Sequence, residues 1–450
     1  MKNNMLIIPK QIVTVNSGME ILRNHGVQIE NGIIVKICDL KSFDYDNYSG
    51  DIFIFNNLTM LPGFVQTHVH LCQSLFRGLA DDMELLDWLQ KRIFPYESNH
   101  DINSLKLSAQ LGINELIESG TTTILDMGTM NHHEIVFEEM ISSGIRGFSG
   151  KCMIDENYLY PSFKESTSES LSTTYELVKS YHNSDKGRIK YGFAPRFALS
   201  CSENLLKETL EFMNDFDGSL YHTHSSENRG ETSAVKRKYG KENIEFFDSI
   251  NILSDRTVLA HCIHTNEKEI ELLKETQTRV AHCPSSNLKL GSGIANIPHY
   301  LEQGISVSLG ADGAPCNNNL SIFTEMRLAA LIQKPIHGAA AMDAETMVKL
   351  ATIEGAKALH LDDQVGSIEV GKKADLVLLN IDQPNNSLFN DDANIYSDIV
   401  YSSTKNNVSE VMIEGKWVVN KNISILYESD ELTFKARNEL TKLLKRMEIN

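Results

Sequence analysis

Two histidines separated by one residue, His68 and His70, close the apolar stretch LPGFVQTHVH. On an extended strand, residues i and i+2 point to the same side, so these imidazoles leave a strand end together. Imidazole ligates zinc, copper, iron and nickel, and such a pair can hold one ion. A lone H-x-H pair fits a surface or core role equally well, so the rest of the chain decides. LYHTHSSEN offers His222, His224 and Glu227, VLAHC offers His261, RVAHCPSSN offers His282, and SLGADGAP offers Asp312. Each group closes an apolar, β-prone stretch. Imidazoles and a carboxylate gathered in one place make a metal centre. An ion held there lowers the pKa of a bound water towards about 7, which is the chemistry of hydrolysis.

The elements that must position these residues follow from the pattern around them. Eight apolar, β-prone segments occupy 59–68, 121–127, 144–150, 188–196, 218–224, 256–262, 277–283 and 305–312. Helical periodicity separates them, as in 104–120, stopped by Gly120, and in 202–214, which starts at Ser202. Alternation of this kind predicts an α/β fold, a closed parallel (β/α)8 TIM barrel, whose chemistry sits at the C-terminal strand ends. The 59–120 stretch is long for one βα unit and carries an inserted loop. Both ends of the chain are strand-rich: 27–37 turns at Asn31-Gly32, 374–381 is apolar, and 409–420 turns at Glu414-Gly415. They predict a small β-sandwich domain formed by both termini, 1–58 plus 364–450, around a barrel of 59–363. Leu432, Ala436, Leu440, Leu443 and Met447 have helical spacing and predict a closing helix.

Composition excludes several function classes. The chain has 450 residues, 41% hydrophobic and 23% charged, with a formal net charge of -18. Such a surface repels a phosphate backbone, so no nucleic acid partner is expected. No apolar run reaches the ~18 residues of a membrane span. The N-terminal MKNNMLIIPKQIVTV lacks the long apolar core and small-residue cleavage site of a secretory signal. The seven cysteines are scattered, odd in number and without a CxxC pair, which fits free thiols in a reducing, cytoplasmic setting.

H-x-H after the first strand, His after the fifth and sixth and Asp after the eighth resembles the ligand pattern of the amidohydrolase superfamily. The stretches PGFVQTHVH, SLFRGLADDMELLDWL, HSSENRGE, AHCPSSNLKLGSG and GADGAPCNNNLSIFTEMRLAALIQK are similar to its nucleobase and nucleoside deaminase branch, which includes triazine hydrolases. The resemblance covers nearly the whole chain. It implies that His68, His70, His224 and Asp312 hold one Zn2+ per subunit, with Fe2+ as the alternative. It implies that His261 orients the attacking water and shares base duty with Asp312. Glu227 then shuttles protons while C–NH2 becomes C=O and ammonia leaves. Relatives are often oligomers, which implies a homo-oligomer.

The substrate reading has two sides. The RGLADD…DWL and GADGAPCNNN…EMRLAALIQK stretches resemble deaminases of S-adenosylhomocysteine, methylthioadenosine and 5'-deoxyadenosine. Glu97, in PYE, matches the position that holds ribose hydroxyls in those enzymes. Gln73 and Arg196 instead resemble guanine deaminases, where the matching residues contact the purine; the nucleoside enzymes usually carry Met and His there. The first expectation is therefore a purine-nucleoside deaminase, the second a deaminase of guanine or another oxopurine, and the third a triazine hydrolase. A noncatalytic metal-binding barrel would have lost a ligand or Glu227, and this chain keeps all of them. Trp88 is expected to cap the pocket and His282 to line it, together with His264 as a further candidate. His222 reads as support for the ligands, and Lys289 has no assignable role.

Overall fold

Two tight turns organise the chain's ends. Asn31 (φ +52°) and Gly32 (φ +81°) adopt the left-handed pair that a two-residue type I′ turn requires. They join His25–Glu30 to Ile33–Asp39, with Glu30 opposite Ile33. Glu414 (φ +47°) and Gly415 (φ +75°) do the same between Val408–Ile413 and Lys416–Asn420. In this computed structural model, which describes residues 4–388 and 392–449, both hairpins belong to one mixed sheet. Its order is Ile423–Ser424, Lys416–Asn420, Val408–Ile413, Leu376–Leu379, Asp51–Pro62, Asn4–Val13, His25–Glu30 and Ile33–Asp39, with Ile21–Arg23 beside Asn4–Val13. Asn4–Val13 and Asp51–Pro62 run parallel. The apolar face buries Ile7, Val27, Met60, Leu376, Leu378 and Met412. Strands from both end regions of the chain thus share one mixed sheet.

The second sheet is the barrel. Its strands are β1 (Phe64–His70), β2 (Thr121–Met127), β3 (Arg146–Gly150, continued by Cys152–Met153), β4 (Ile189–Pro195), β5 (Leu220–Ser225), β6 (Thr257–His261), β7 (Arg279–His282) and β8. The last comes in two pieces. Val307–Leu309 pairs with β7, and Asp312–Gly313 pairs with β1. One strand therefore touches both the seventh and the first, and the parallel sheet closes as a (β/α)8 barrel. The strands carry long apolar runs because both faces are covered.

The first barrel strand differs from its expected span of 59–68. The run divides at Gly63: Asp51–Pro62 ends in the terminal sheet and Phe64–His70 begins the barrel. Every residue from Leu58 to His70 is buried, so no alternation marks the change of sheet.

Helices follow the strands, among them Ile102–Glu118, Glu203–Asn214, Arg229–Tyr239 and Glu267–Glu275. Ser202 caps the second of these, its hydroxyl accepting from the Leu205 N–H at 3.0 Å. Asn228 with Glu231, and Asn266 with Glu269, form complete capping boxes on the last two. Between β1 and Ile102–Glu118 lies the insertion expected from the sequence. It holds the turn Leu71–Phe76 and a helical stretch, Leu85–Trp88, Leu89–Ile93 and Phe94–Ser98, whose middle part is π-helical.

The described residues form two compact units. The first is drawn from 4–65, 114–123, 321–388 and 392–427, and the second from 66–113, 124–320 and 428–449. The closing helix is Ser429–Ile449. It belongs to the second unit, where Ala436 and Leu443 pack with Leu75, Phe76 and Tyr96. All seven cysteines are buried, and none is joined in a disulfide. Among the described residues no helix is long and apolar enough to cross a membrane.

Candidate active site

His68 and His70 end β1, His224 is the penultimate residue of β5, and Asp312 opens the second piece of β8. One donor atom from each lies within 4.8 Å of the others, and all four residues are buried. Backbone geometry makes this convergence possible. A Cβ on Gly310 would sit 2.6 Å from the His68 carbonyl oxygen, so β8 can pass this close to β1 only with glycine. Asp312 (φ +61°) and His261 (φ +74°) are non-glycine residues in left-handed backbone, which costs about 1–3 kcal/mol each and turns their side chains inward.

Hydrogen bonds assign the imidazole tautomers. His70 donates from Nδ1 to the Met127 carbonyl at 2.8 Å, and His224 donates from Nδ1 to the Arg196 carbonyl at 2.7 Å. Carbonyls only accept, so each Nε2 carries a lone pair. Those two nitrogens nevertheless face each other at 3.3 Å. The Asp312 Oδ1 atom is 3.3 Å from His68 Nε2 and 3.3 Å from His70 Nε2. His68 Nδ1 meets His222 Nε2 at 2.8 Å, and His68 Nε2 has no hydrogen-bond partner. Lone pairs converging without a proton between them fit a cation, and three imidazoles with one carboxylate suit Zn2+. Burial pushes His70 down to about 3 and His224 well below the usual imidazole range, which keeps both rings neutral, the form able to ligate a metal. Burial opposes ionisation of Asp312, but His68, His70 and His261 outweigh it and hold its carboxyl well below the usual range.

Beside the cluster stand His261 and Glu227. His261 Nδ1 donates to Asn287 Oδ1 at 2.8 Å, leaving Nε2 as a base with no hydrogen-bond partner. That atom lies 3.6 Å from Glu227 Oε2 and 3.8 Å from Asp312 Oδ2. Burial raises the Glu227 carboxyl well above its ordinary value, with the Asp312 and Glu231 charges adding to the effect against Arg196. A buried carboxyl, made a weaker acid by its surroundings, therefore faces the His261 ring at 3.6 Å. Asp312 is held on its other side by the Ser286 hydroxyl, which donates to Oδ2 at 2.6 Å.

These groups open onto a cavity whose lining includes Leu85, Trp88, Leu89, Arg196, Phe197 and Glu227. Arg196 donates from Nη1 to Glu97 Oε2 at 3.1 Å, and Gln73 donates from Nε2 to Glu97 Oε1 at 2.8 Å. The guanidinium carbon stands 5.2 Å from the centre of the Phe94 ring. Trp88 and Arg196 therefore meet the cavity, while Gln73 and Glu97 connect to it through Arg196. His282 is buried with neither ring nitrogen hydrogen-bonded, and it is not among the lining residues. His264 is half-buried, bonded through Nε2 to the Ser292 carbonyl at 2.7 Å, and borders a separate groove with Arg229 and Asn266. Lys289 pairs with Asp81 and donates to the Pro315 carbonyl.

Sequence reasoning missed Ser286, Asn287 and Glu231. The Ser-Ser-Asn of AHCPSSN was a usable signal, since a polar run on a short helix after β7 must satisfy buried partners.

The Amidohydrolase family model matches residues 59–418. A 5-methylthioadenosine/S-adenosylhomocysteine deaminase of Thermoanaerobacter pseudethanolicus is 33% identical over 444 residues, covering 98% of this chain and 100% of that one. An adenosine deaminase from Xanthomonas campestris, solved with bound zinc, is 27% identical with a TM-score of 0.90, covering 99% of both chains. The guanine deaminase of E. coli is 25% identical with a TM-score of 0.82, covering 93% of this chain and 99% of that one.

Proposed function

The chain belongs to the amidohydrolase family, and from that premise we propose that it hydrolytically deaminates a purine nucleoside of the 5'-deoxyadenosine, methylthioadenosine or S-adenosylhomocysteine type, releasing ammonia. The observation that carries this reading is the buried Glu227 carboxyl 3.6 Å from His261 at the edge of a cluster of three imidazoles and a carboxylate. The names of the relatives support the nucleoside.

In this reading His68, His70, His224 and Asp312 hold one Zn2+ per subunit. When bound, the zinc supplies a water acidified towards about pH 7. His261, its Nδ1–H fixed on Asn287, offers Nε2 to accept a proton from the attacking water and to aim it. Glu227 donates its proton to the ring nitrogen next to the amine-bearing carbon, which makes that carbon electrophilic. A C–O bond forms at that carbon. Glu227 then takes the proton of the new hydroxyl and delivers it to the departing amine, the C–N bond breaks as the ring keeps a carbonyl, and the proton held on His261 restores Glu227 across 3.6 Å. Trp88 and Arg196 wall the base, with Glu97 and Gln73 holding the guanidinium in place. Seven cysteines without a disulfide support a reducing, cytoplasmic setting, and we propose a homo-oligomer.

A second reading, deamination of guanine or another oxopurine, is favoured by one observation. Arg196 presents a buried cation to the cavity. Ammonia release from methylthioadenosine, 5'-deoxyadenosine and guanine, offered in parallel to the zinc-loaded protein, separates the two. Turnover of guanine with none of the nucleosides overturns the first.

A further inference from the structure

A buried carboxylate that the mechanism does not use lies directly behind Glu227. Glu231, 1% exposed, is the third residue of the helix Arg229–Tyr239, and its ordinary work is to close the capping box with Asn228. Its Oε2 accepts from the Asn228 N–H at 3.2 Å, as such a box requires. The same oxygen also accepts from the Glu227 N–H at 2.7 Å, one residue beyond the box and the shorter bond of the two. Asn243 Nδ2 donates to its other oxygen. Three donors on one buried carboxylate fix it firmly.

The turn that Glu231 grips is itself constrained. Ser226 sits at φ +52°, left-handed backbone for a non-glycine residue. Its carbonyl accepts from the Ile263 N–H at 2.9 Å and the His264 N–H at 3.0 Å, and the Ser225 carbonyl accepts from the Cys262 N–H at 3.0 Å. The loop carrying Glu227 is thereby tied to the loop carrying His261. With Ser226 anchored on one side and Glu231 holding the N–H on the other, the Glu227 side chain has one direction to leave the backbone.

We propose that Glu231 is a positioning residue for the reaction: by clamping the Glu227 N–H it aims the Glu227 carboxyl at the proton it moves. This rests on the reading of Glu227 as the proton carrier. One unit later in the chain the same device occurs without that extra bond. Glu269, also 1% exposed, closes the capping box with Asn266 and accepts from the Asn266 N–H at 3.0 Å and the Ile244 N–H at 2.9 Å. It has no bond to Glu227. Glu269 therefore serves as an internal control for the cost of losing a buried capping carboxylate.

The test compares Glu231→Gln with Glu269→Gln in the zinc-loaded protein, on whichever of methylthioadenosine or guanine the wild type turns over. Both are expected to lower Tm. Glu231→Gln alone is expected to lower kcat about 10- to 100-fold, as a misaimed catalytic group does, with zinc content and KM little changed. The groups facing Glu227 are His261, Asp312, Arg196 and Glu231. Loss of the Glu231 charge makes the Glu227 proton easier to remove, so the alkaline limb of the kcat/KM profile moves to lower pH. Glu269→Gln leaves that limb in place. Asn243→Ala, which keeps Glu231 but frees its second oxygen, shows the same changes in smaller measure and serves if Glu231→Gln does not fold. Glu227→Gln separates the two layers of argument: if it keeps full turnover, the proton-carrier reading fails. If it is inactive while Glu231→Gln and Asn243→Ala keep wild-type kcat and pH profile, or while Glu269→Gln reproduces their changes, the positioning role is overturned.

Discussion

Arg196→Met should destabilise the protein far more than a surface charge deletion, and Glu97→Gln should recover part of the loss. The two charges stand 3.1 Å apart with side chains 3% and 0% exposed. At an effective dielectric constant of about 20, that separation corresponds to an attraction of about 5 kcal/mol, an upper bound that desolvation offsets. Removing the guanidinium leaves Glu97 buried with Gln73 as its remaining side-chain donor. Breaking one side of a buried pair costs about 3–5 kcal/mol, because the charge left behind is uncompensated. In the double variant Glu97→Gln/Arg196→Met no charge is stranded, so a coupling energy of about 2–3 kcal/mol is expected. A double-mutant cycle on denaturant midpoints of the zinc-loaded protein measures it, and KM for the same four proteins reports the loss of the cavity wall. Single variants costing only about 0–1 kcal/mol, the range of exposed pairs, or strictly additive losses would refute the argument that this pair is a fixed, desolvated part of the site.

Glu227→Gln is expected to keep full zinc content while kcat falls about 10²- to 10⁴-fold, the worth of a general acid–base group; elemental analysis and steady-state kinetics check both. His222→Ala removes the group that meets His68 Nδ1 at 2.8 Å, and zinc affinity should fall about 10- to 100-fold in competition with a chelator. Asp126 is buried, accepts from the Leu71 N–H at 2.8 Å and from the Ser149 hydroxyl at 2.6 Å, and is raised by burial to about 7. Its carboxyl binds a proton more tightly when folded than the ordinary value of about 3.9 allows, so it weakens the wild type progressively as pH rises from about 4 to 7. Asp126→Asn should therefore gain Tm relative to wild type between pH 5 and pH 8, and a constant difference would contradict that value. Chelation of the metal should abolish turnover and lower Tm, with both restored by added Zn2+.

The strand-end residues were legible because each rests on local geometry. The i, i+2 spacing of His68 and His70 puts both on one side of β1, and the glycines of GADG announce the close passage of β8 that brings in Asp312. Cooperation across the sequence was not legible. His68 bonds His222 154 positions away, His261 bonds Asn287 26 positions away, and Asn243 reaches back 12 positions to Glu231. Such partners are chosen by the closed barrel and by loop packing, which no window of sequence contains. The same limit hides the neighbours of Glu97, whose carboxylate the fold surrounds with Arg196 and Gln73. The division at Gly63 escaped notice because both strands meeting there are buried on both faces, so periodicity is silent.

The most direct measurement is stoichiometric ammonia release, with ring products identified, from methylthioadenosine, 5'-deoxyadenosine and guanine by protein carrying one Zn2+ per chain, beside Asp312→Asn under the same conditions. The account predicts one ammonia per nucleoside consumed, a carbonyl at the former amine carbon, and loss of both metal and turnover in Asp312→Asn. Release of no ammonia from any of the three, or Asp312→Asn with full metal and full activity, would contradict it.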